Sequence, residues 1–371
     1  MKNIKWKHYI NYIIVGLATV ILTVLALTGA LQRSWQVNLE KIAISMILAV
    51  SLSLVVGFLG ELSLGHAGFM CVGAYLGGKT AAVLVSSLDN GILTLVISLA
   101  VGGICAGICG FIIGLPALRL KGDYLAITTL AFGEIVRVIF LNTSDESFGG
   151  AIGLPTPRFD RKYFFIICFV MVLITLFVVQ NLIRSKHGRA ITAIRDNEIA
   201  AKATGINVTK YKLTGFIVAA VFAGFAGVLF SYSQNNVSSV NFDYNYSIEI
   251  LVMVVLGGMG NITGSLVAAT AVTLLNSVLQ AKLPGDLAVL KDLLYALILI
   301  VVVIYNNSPK LKNFRDKYNL RNLFSRAASK HDADDTKRWD VVPTKIKMDA
   351  LLSTDIVVND PKPDKPKEDD K

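Results

Sequence analysis

GAYLGGKT (Gly73–Thr80) spells the phosphate-loop pattern G-x-x-x-x-G-K-T letter for letter. Such a loop cradles phosphates on backbone N–H groups and a lysine, and it needs a strand before it and a helix N-terminus after it. Here the pattern closes a glycine-rich apolar segment, and no apolar strand ending in Asp follows. Lys79 therefore reads as an interfacial anchor whose stem lies in oil and whose ammonium reaches water. No nucleotide is expected to bind this chain. A second candidate is the pair Glu134 and Arg137, set three residues apart inside an apolar run. That spacing puts both on one helix face. Ionised groups at membrane depth are costly, and they pair, face a bundle interior or mark function. Glu61 and His66 are polar groups in or beside another apolar run. The four cysteines, Cys71, Cys105, Cys109 and Cys168, all lie in apolar stretches. Their spacing fits neither a disulfide framework nor a zinc site, so they read as small core residues and no metal is expected. The residues form no nucleophile–base arrangement, which argues against an enzyme.

Glycine clusters form two further candidate regions. GELSLGHAGFMCVGAYLGG (Gly60–Gly78) supplies small residues for close helix contact, or a broken helix beside a cavity. Packing is the favoured reading, with Gly65, His66 and Gly68 as candidate residues of a translocation path. The cluster Gly257, Gly258, Gly260 and Gly264 lies between two apolar runs. A tight turn is favoured there over an unwound backbone of the kind transporters use at their sites. Glu134, Arg137, Gly257, Gly258 and Gly260 complete the candidate path.

The elements that must position these residues follow from hydropathy. The chain has 371 residues, 54% hydrophobic and 17% charged, with mean hydropathy +0.59. Soluble chains carry about 25% charged residues. Apolar runs near the length of a membrane span recur: Tyr9–Leu31, Ile42–Leu59, Leu62–Gly78, Ile92–Leu118, Tyr124–Leu141, Tyr163–Leu182, Leu213–Tyr232, Ser247–Leu256, Ser265–Leu279 and Leu290–Tyr305. The fold class is all-α, a polytopic helical membrane protein with about ten transmembrane helices. The first run is too long for a signal-peptide core and reads as a retained span. The net charge of +10 sits in short segments flanking the spans, which excludes nucleic acid as the partner that charge serves. Placing RLKGD (Arg119–Asp123), the Lys186–Lys212 segment and the tail from Lys310 inside agrees with the positive-inside rule. Both termini are then cytoplasmic. A transmembrane domain covers residues 1–308, and residues 309–371 form a cytoplasmic tail. Its first part is basic, suited to anionic membrane lipid, and its end is Pro-rich, charged and expected to be disordered.

One segment is out of keeping with the oil around it. Gly188–Lys212 is polar and Ala-rich. Arg195–Glu198 and Glu198–Lys202 have pair spacing, which predicts a short cytoplasmic helix over Gly188–Gly205. Ala200, Ala201 and Ala203 would leave a small-residue surface. Gly205 would stop the helix, with Ile206 as the apolar contact that follows.

EIAAKATG (Glu198–Gly205) resembles the cytoplasmic E-A-A-x-x-x-G motif of ABC importer permeases, with Ile199 as an additional residue after the Glu. GELSLGHAGFMCVGAY, LRLKGDYLAITTLAFGEIVR, GRAITAIRDNEIAAKATGINVTKYKL and MVVLGGMGNITGSLVAA resemble, in order, blocks of the M-type (LivM-like) permease of branched-chain amino acid importers. The resemblance spans Leu54–Tyr305. It implies the ABC importer permease fold, a bacterial cytoplasmic membrane and import of leucine, isoleucine and valine. Related permeases move urea, nucleosides or other amino acids. It also implies a second, H-type permease, two cytoplasmic ABC ATPases that use ATP, and an extracytoplasmic substrate-binding protein. Gly188–Gly205 would be the coupling helix, with Arg189, Arg195, Glu198, Ala200, Ala201 and Gly205 meeting the ATPase. The chief rival is an ion-driven secondary transporter, which would need no ATPase.

Overall fold

The computed structural model describes residues 10–28, 32–85, 91–120, 122–157, 161–234, 236–282, 296, 297 and 300. All belong to one unit, Met1–Val303. The expected tail from residue 309, and nearly all of Leu290–Tyr305, lie outside the described residues. The other nine apolar runs each carry a helix: α1 (Ile10–Leu27), α2 (Arg33–Ser53), α3 (His66–Val85), α4 (Gly91–Ala117), α5 (Asp123–Leu141), α7 (Arg161–Arg184), α10 (Val208–Gln234), α11 (Tyr244–Gly257) and α12 (Ile262–Lys282). Short helices α6 (Asp145–Phe148), α8 (Lys186–Asp196) and α9 (Glu198–Ala203) lie between them. Seven of the described helices are long and apolar enough to cross a membrane. α11 has only 14 residues. At 1.5 Å per residue it spans about 21 Å, less than the roughly 30 Å of a bilayer core.

α2 is the central helix. Through the π-helical turn Leu54–Leu59 that continues it, 94% of its most apolar stretch is buried within the chain, against 33% for α5 and for α12. The latter two therefore keep an outer face for lipid or another subunit. α2 begins at Arg33, well before the apolar run at Ile42, and two of its early polar residues, Gln36 and Glu40, are buried against protein. Glu40 is buried and accepts a hydrogen bond from Ser233 Oγ at 2.6 Å. Hydropathy alone cannot see a polar residue satisfied by a distant hydroxyl.

α3, α4 and α10 pack closely because small residues meet at their crossings. A Cβ at Gly73 would lie 2.2 Å from the Gly224 carbonyl oxygen, and one at Gly227 would lie 2.0 Å from that of Met70. With no hydrophobic drive between helices in lipid, this close approach supplies the packing attraction.

The connections separate onto two faces. The segment after α5 pairs with the segment after α10 as a two-stranded antiparallel sheet, β1 (Leu154–Pro155) with β2 (Asn236–Val237), Leu154 opposite Val237. Tyr75 donates to the Val237 carbonyl nearby. At the opposite ends of the same helices, the α2–α3 connection, the α8–α9 segment and the α11–α12 turn meet one another. This is the alternation required of consecutive crossings.

Candidate functional site

The second of those faces holds the arrangement with most chemistry. Gly188–Gly205 is not one helix. α8 ends at Asp196, Asn197 is extended (φ −157°, ψ 103°), and α9 starts at Glu198. The break arises because the Asn197 side chain accepts the Ala200 N–H at 3.0 Å, giving the backbone an N-cap in place of a continuing turn. α8 starts in the same way, at Ser185, whose hydroxyl accepts the N–H groups of His187 and Gly188. Gly188, Ala190, Ile191 and Ile194 make its buried face, and Arg189 points to the exposed side. Beyond α9 the chain is stopped at Gly205, which has φ +84°; its N–H bonds the Lys202 carbonyl and the Ile206 N–H bonds that of Ala201. This double bond pattern is a left-handed helix stop that favours glycine.

The expected ion pairs of this elbow differ from those observed. Glu198 pairs neither with Arg195 nor with Lys202. Its carboxylate reaches Lys212 Nζ at 3.1 Å, across the turn onto α10. Lys212 also binds Glu61 at 2.5 Å. The Lys212 side chain is 5% exposed and that of Glu61 12%. The break at Asn197 separates Arg195 from Glu198, since i,i+3 spacing places residues together only along an unbroken helix; Lys202 shares α9 with Glu198, but the Glu198 carboxylate is taken by Lys212. Arg195 turns instead toward Asp196 (2.9 Å) and donates from Nη1 to the Gly57 carbonyl at 3.0 Å. That carbonyl belongs to the π-helical turn at the end of α2. The elbow is thus fastened at two points: by Arg195 to α2, and by Lys212 to both α10 and the α2–α3 connection.

Ala201 is buried, 4% exposed, so it does not contribute to a small-residue surface. The outward side of α9 carries Ile199, Ala200, Lys202 and Ala203, with Ile199 81% exposed. Gly205 also lies open.

The candidate path residues fall into three places. Gly65, His66 and Gly68 sit where α3 begins, inside packed protein. His66 is buried with Nε2 2.8 Å from Ser51 Oγ. The Leu64 N–H donates to Thr129 Oγ1 and the Ala67 N–H to Ser247 Oγ. A Cβ on Gly68 would lie 2.7 Å from Gly133 Cα of α5. Glu134 and Arg137 form the expected pair on α5 at 2.8 Å, each about a quarter exposed. The other Glu134 oxygen accepts the Tyr244 N–H at 3.0 Å, which sets a carboxylate at the positive end of α11. Gly257, Gly258 and Gly260 form the turn from α11 to α12, with Gly258 and Gly260 at φ +87° and +82°. This turn lies beside the elbow: a Cβ on Gly57 would be 2.3 Å from the Gly260 nitrogen, and one on Gly260 3.7 Å from Arg195 Nη1.

Residues 38–303 match the family described as branched-chain amino acid transport system / permease component. The chain belongs to this family. It is similar to the high-affinity branched-chain amino acid transport system permease protein LivM of Escherichia coli K12, 34% identical over 75% of this chain and 70% of that protein. The probable branched-chain amino acid transport permease protein LivM of Methanocaldococcus jannaschii is 33% identical over 43% of this chain and 50% of its own length. The ribose import permease protein RbsC of Escherichia coli K12 is 25% identical over 73% of this chain and 85% of its own. No solved structure matches the chain. This is an all-α, multi-pass membrane permease, a transport subunit.

Within this permease, Gly73–Thr80 lies inside helix α3 and forms no loop. Lys79 donates to the Glu146 carbonyl at 3.3 Å and lies over the Phe148 ring, at the β1–β2 face. Among the described residues, no group of His, Cys, Asp or Glu is placed to hold a metal ion. Sequence reasoning missed Lys212, Gly57 and Ile199. In the sequence Lys212 is one basic residue of the Lys186–Lys212 segment, and Asn197 is the signal for the break: a helix-capping residue immediately before an acidic one.

Proposed function

We propose that this permease is the M-type subunit of an ATP-driven importer of leucine, isoleucine and valine in a bacterial cytoplasmic membrane. The observation that carries the reading is the 34% identity to LivM over 75% of the chain, against 25% to the ribose permease over a similar share. The chain binds no cofactor. ATP is used by two cytoplasmic ATPases, a second H-type permease completes the membrane pair, and an extracytoplasmic binding protein delivers substrate. The elbow face is cytoplasmic, as are both termini, consistent with the basic segments that flank it. The α8–α9 elbow is the coupling element, with Arg189, Arg195, Glu198, Ala200 and Gly205 at or beside the ATPase contact and Ile199 added to them. Force on α9 passes to α2 through Arg195 and to α10 through Glu198 and Lys212. The packed surroundings of His66 and the turn at Gly257–Gly260 support structural roles for those residues at the inner end of the path.

Uptake of labelled leucine in a strain lacking its own importer tests the substrate. Competition by isoleucine and valine is expected, with none by ribose, arabinose, urea or nucleosides. Ribose uptake in place of leucine uptake would overturn the assignment.

A further inference from the structure

A cavity of about 310 Å³ lies between α2, α10, α11 and α12, in the half of the molecule away from the elbow. Its position follows from its lining. Lys41 lies in the early part of α2, far from Gly57; Gln280 lies near the end of α12, far from Gly264. None of the candidate path residues lines it. The volume is at the small end of the usual range for ligand pockets, roughly 300–1,000 Å³, so it suits a small metabolite.

The chemistry of the walls is specific. Lys41 and Glu249 bring one charge of each sign. Glu249 accepts a hydrogen bond from Asn276 Nδ2 at 3.5 Å, joining the α11 and α12 walls. Ile44 and Phe230 supply apolar surface. A cation and an anion opening into one cavity match the two ends of a zwitterion, and the apolar walls match an aliphatic side chain; a neutral sugar would use neither charge.

We propose that this cavity is the outer way-station for the transported amino acid: Lys41 receives the α-carboxylate, Glu249 the α-ammonium, and Ile44 with Phe230 the aliphatic side chain. The inference rests on the orientation and substrate class of the proposed function. With the elbow face cytoplasmic, this half is the outer one, where the binding protein releases its load. Both charges are needed at once, because an unpaired end of the zwitterion would lose its water without replacement.

The test uses the assembled importer with its binding protein. Lys41→Gln and Glu249→Gln should each lower leucine uptake by about tenfold or more. Membrane levels should equal the parent's, and ATP hydrolysis without binding protein should be unchanged. Ser277→Cys, on the α12 wall, should gain labelling by a small charged thiol reagent added outside, above the background of the native cysteines. Leucine delivered by the binding protein should slow that labelling. Uptake by both charge variants within about twofold of the parent would overturn the inference. So would failure of leucine to protect Ser277→Cys, a readout that stands if the charge variants fail to assemble. A parent that moves ribose and not leucine would overturn the substrate reading; a parent that moves leucine with indifferent variants would overturn the way-station alone.

Discussion

Two sets of opposite charges among the described residues, one local and one long-range, differ in kind. Glu134 and Arg137 sit one turn apart on α5, each about a quarter exposed. Lys212, Glu61 and Glu198 come from α10, the α2–α3 connection and α9, with Lys212 and Glu61 separated by 151 residues. The first pair orients one helix and caps another. The second ties three elements, one of them the elbow, around a cation that is 5% exposed. A local pair can be lost while the fold adjusts around it. A buried cation that loses its place leaves two carboxylates facing each other.

That contrast sets the largest expected effect. Lys212→Met leaves Glu61 and Glu198 uncompensated, and breaking a buried pair in this way costs about 3–5 kcal/mol. Membrane levels of the variant, read by immunoblot, should fall steeply and leucine uptake with them. Glu134→Gln keeps an acceptor oxygen that the Tyr244 N–H and Arg137 can share, so it gives up only the charge of a local pair and costs less. Its level and uptake should stay near the parent's. Equal losses in the two variants would erase the distinction.

Glu198→Lys comes next. Glu198 is the most exposed member of its cluster, and Lys212 keeps Glu61. The chain should reach the membrane at parental levels while uptake falls several-fold and ATPase association, measured by co-purification, weakens. Normal transport would detach the elbow from coupling. The smallest effect belongs to Lys79→Ala. Lys79 contacts a backbone carbonyl and an aromatic ring at the opposite face. ATP hydrolysis by the assembled complex should remain within about twofold of the parent, since a nucleotide site there would change it by orders of magnitude.

The same contrast explains what was legible. Apolar runs predict each of the described long helices, because burial in lipid needs only composition and length. The pair Glu134–Arg137 and the stop at Gly205 were readable, since spacing and a glycine's φ are local properties. The Glu61–Lys212 contact was not, because nothing local couples residues 61 and 212. The break at Asn197 was overlooked for a different reason. The charges on either side suggest one continuous helix, and a single capping side chain overrides them. Once the chain turns there, Ala201 is carried inward and Ile199 outward, so the surface offered to a partner changes.

In the proposed importer, α9 is the contact through which an ATPase moves this permease. Cysteine crosslinking in the assembled importer tests it most directly. Ile199→Cys should crosslink to an ATPase subunit and be labelled from the cytoplasmic side, while Ala201→Cys, two residues on but buried, should do neither. Labelling of Ile199→Cys only by an impermeant reagent added outside would contradict both the orientation and the coupling role.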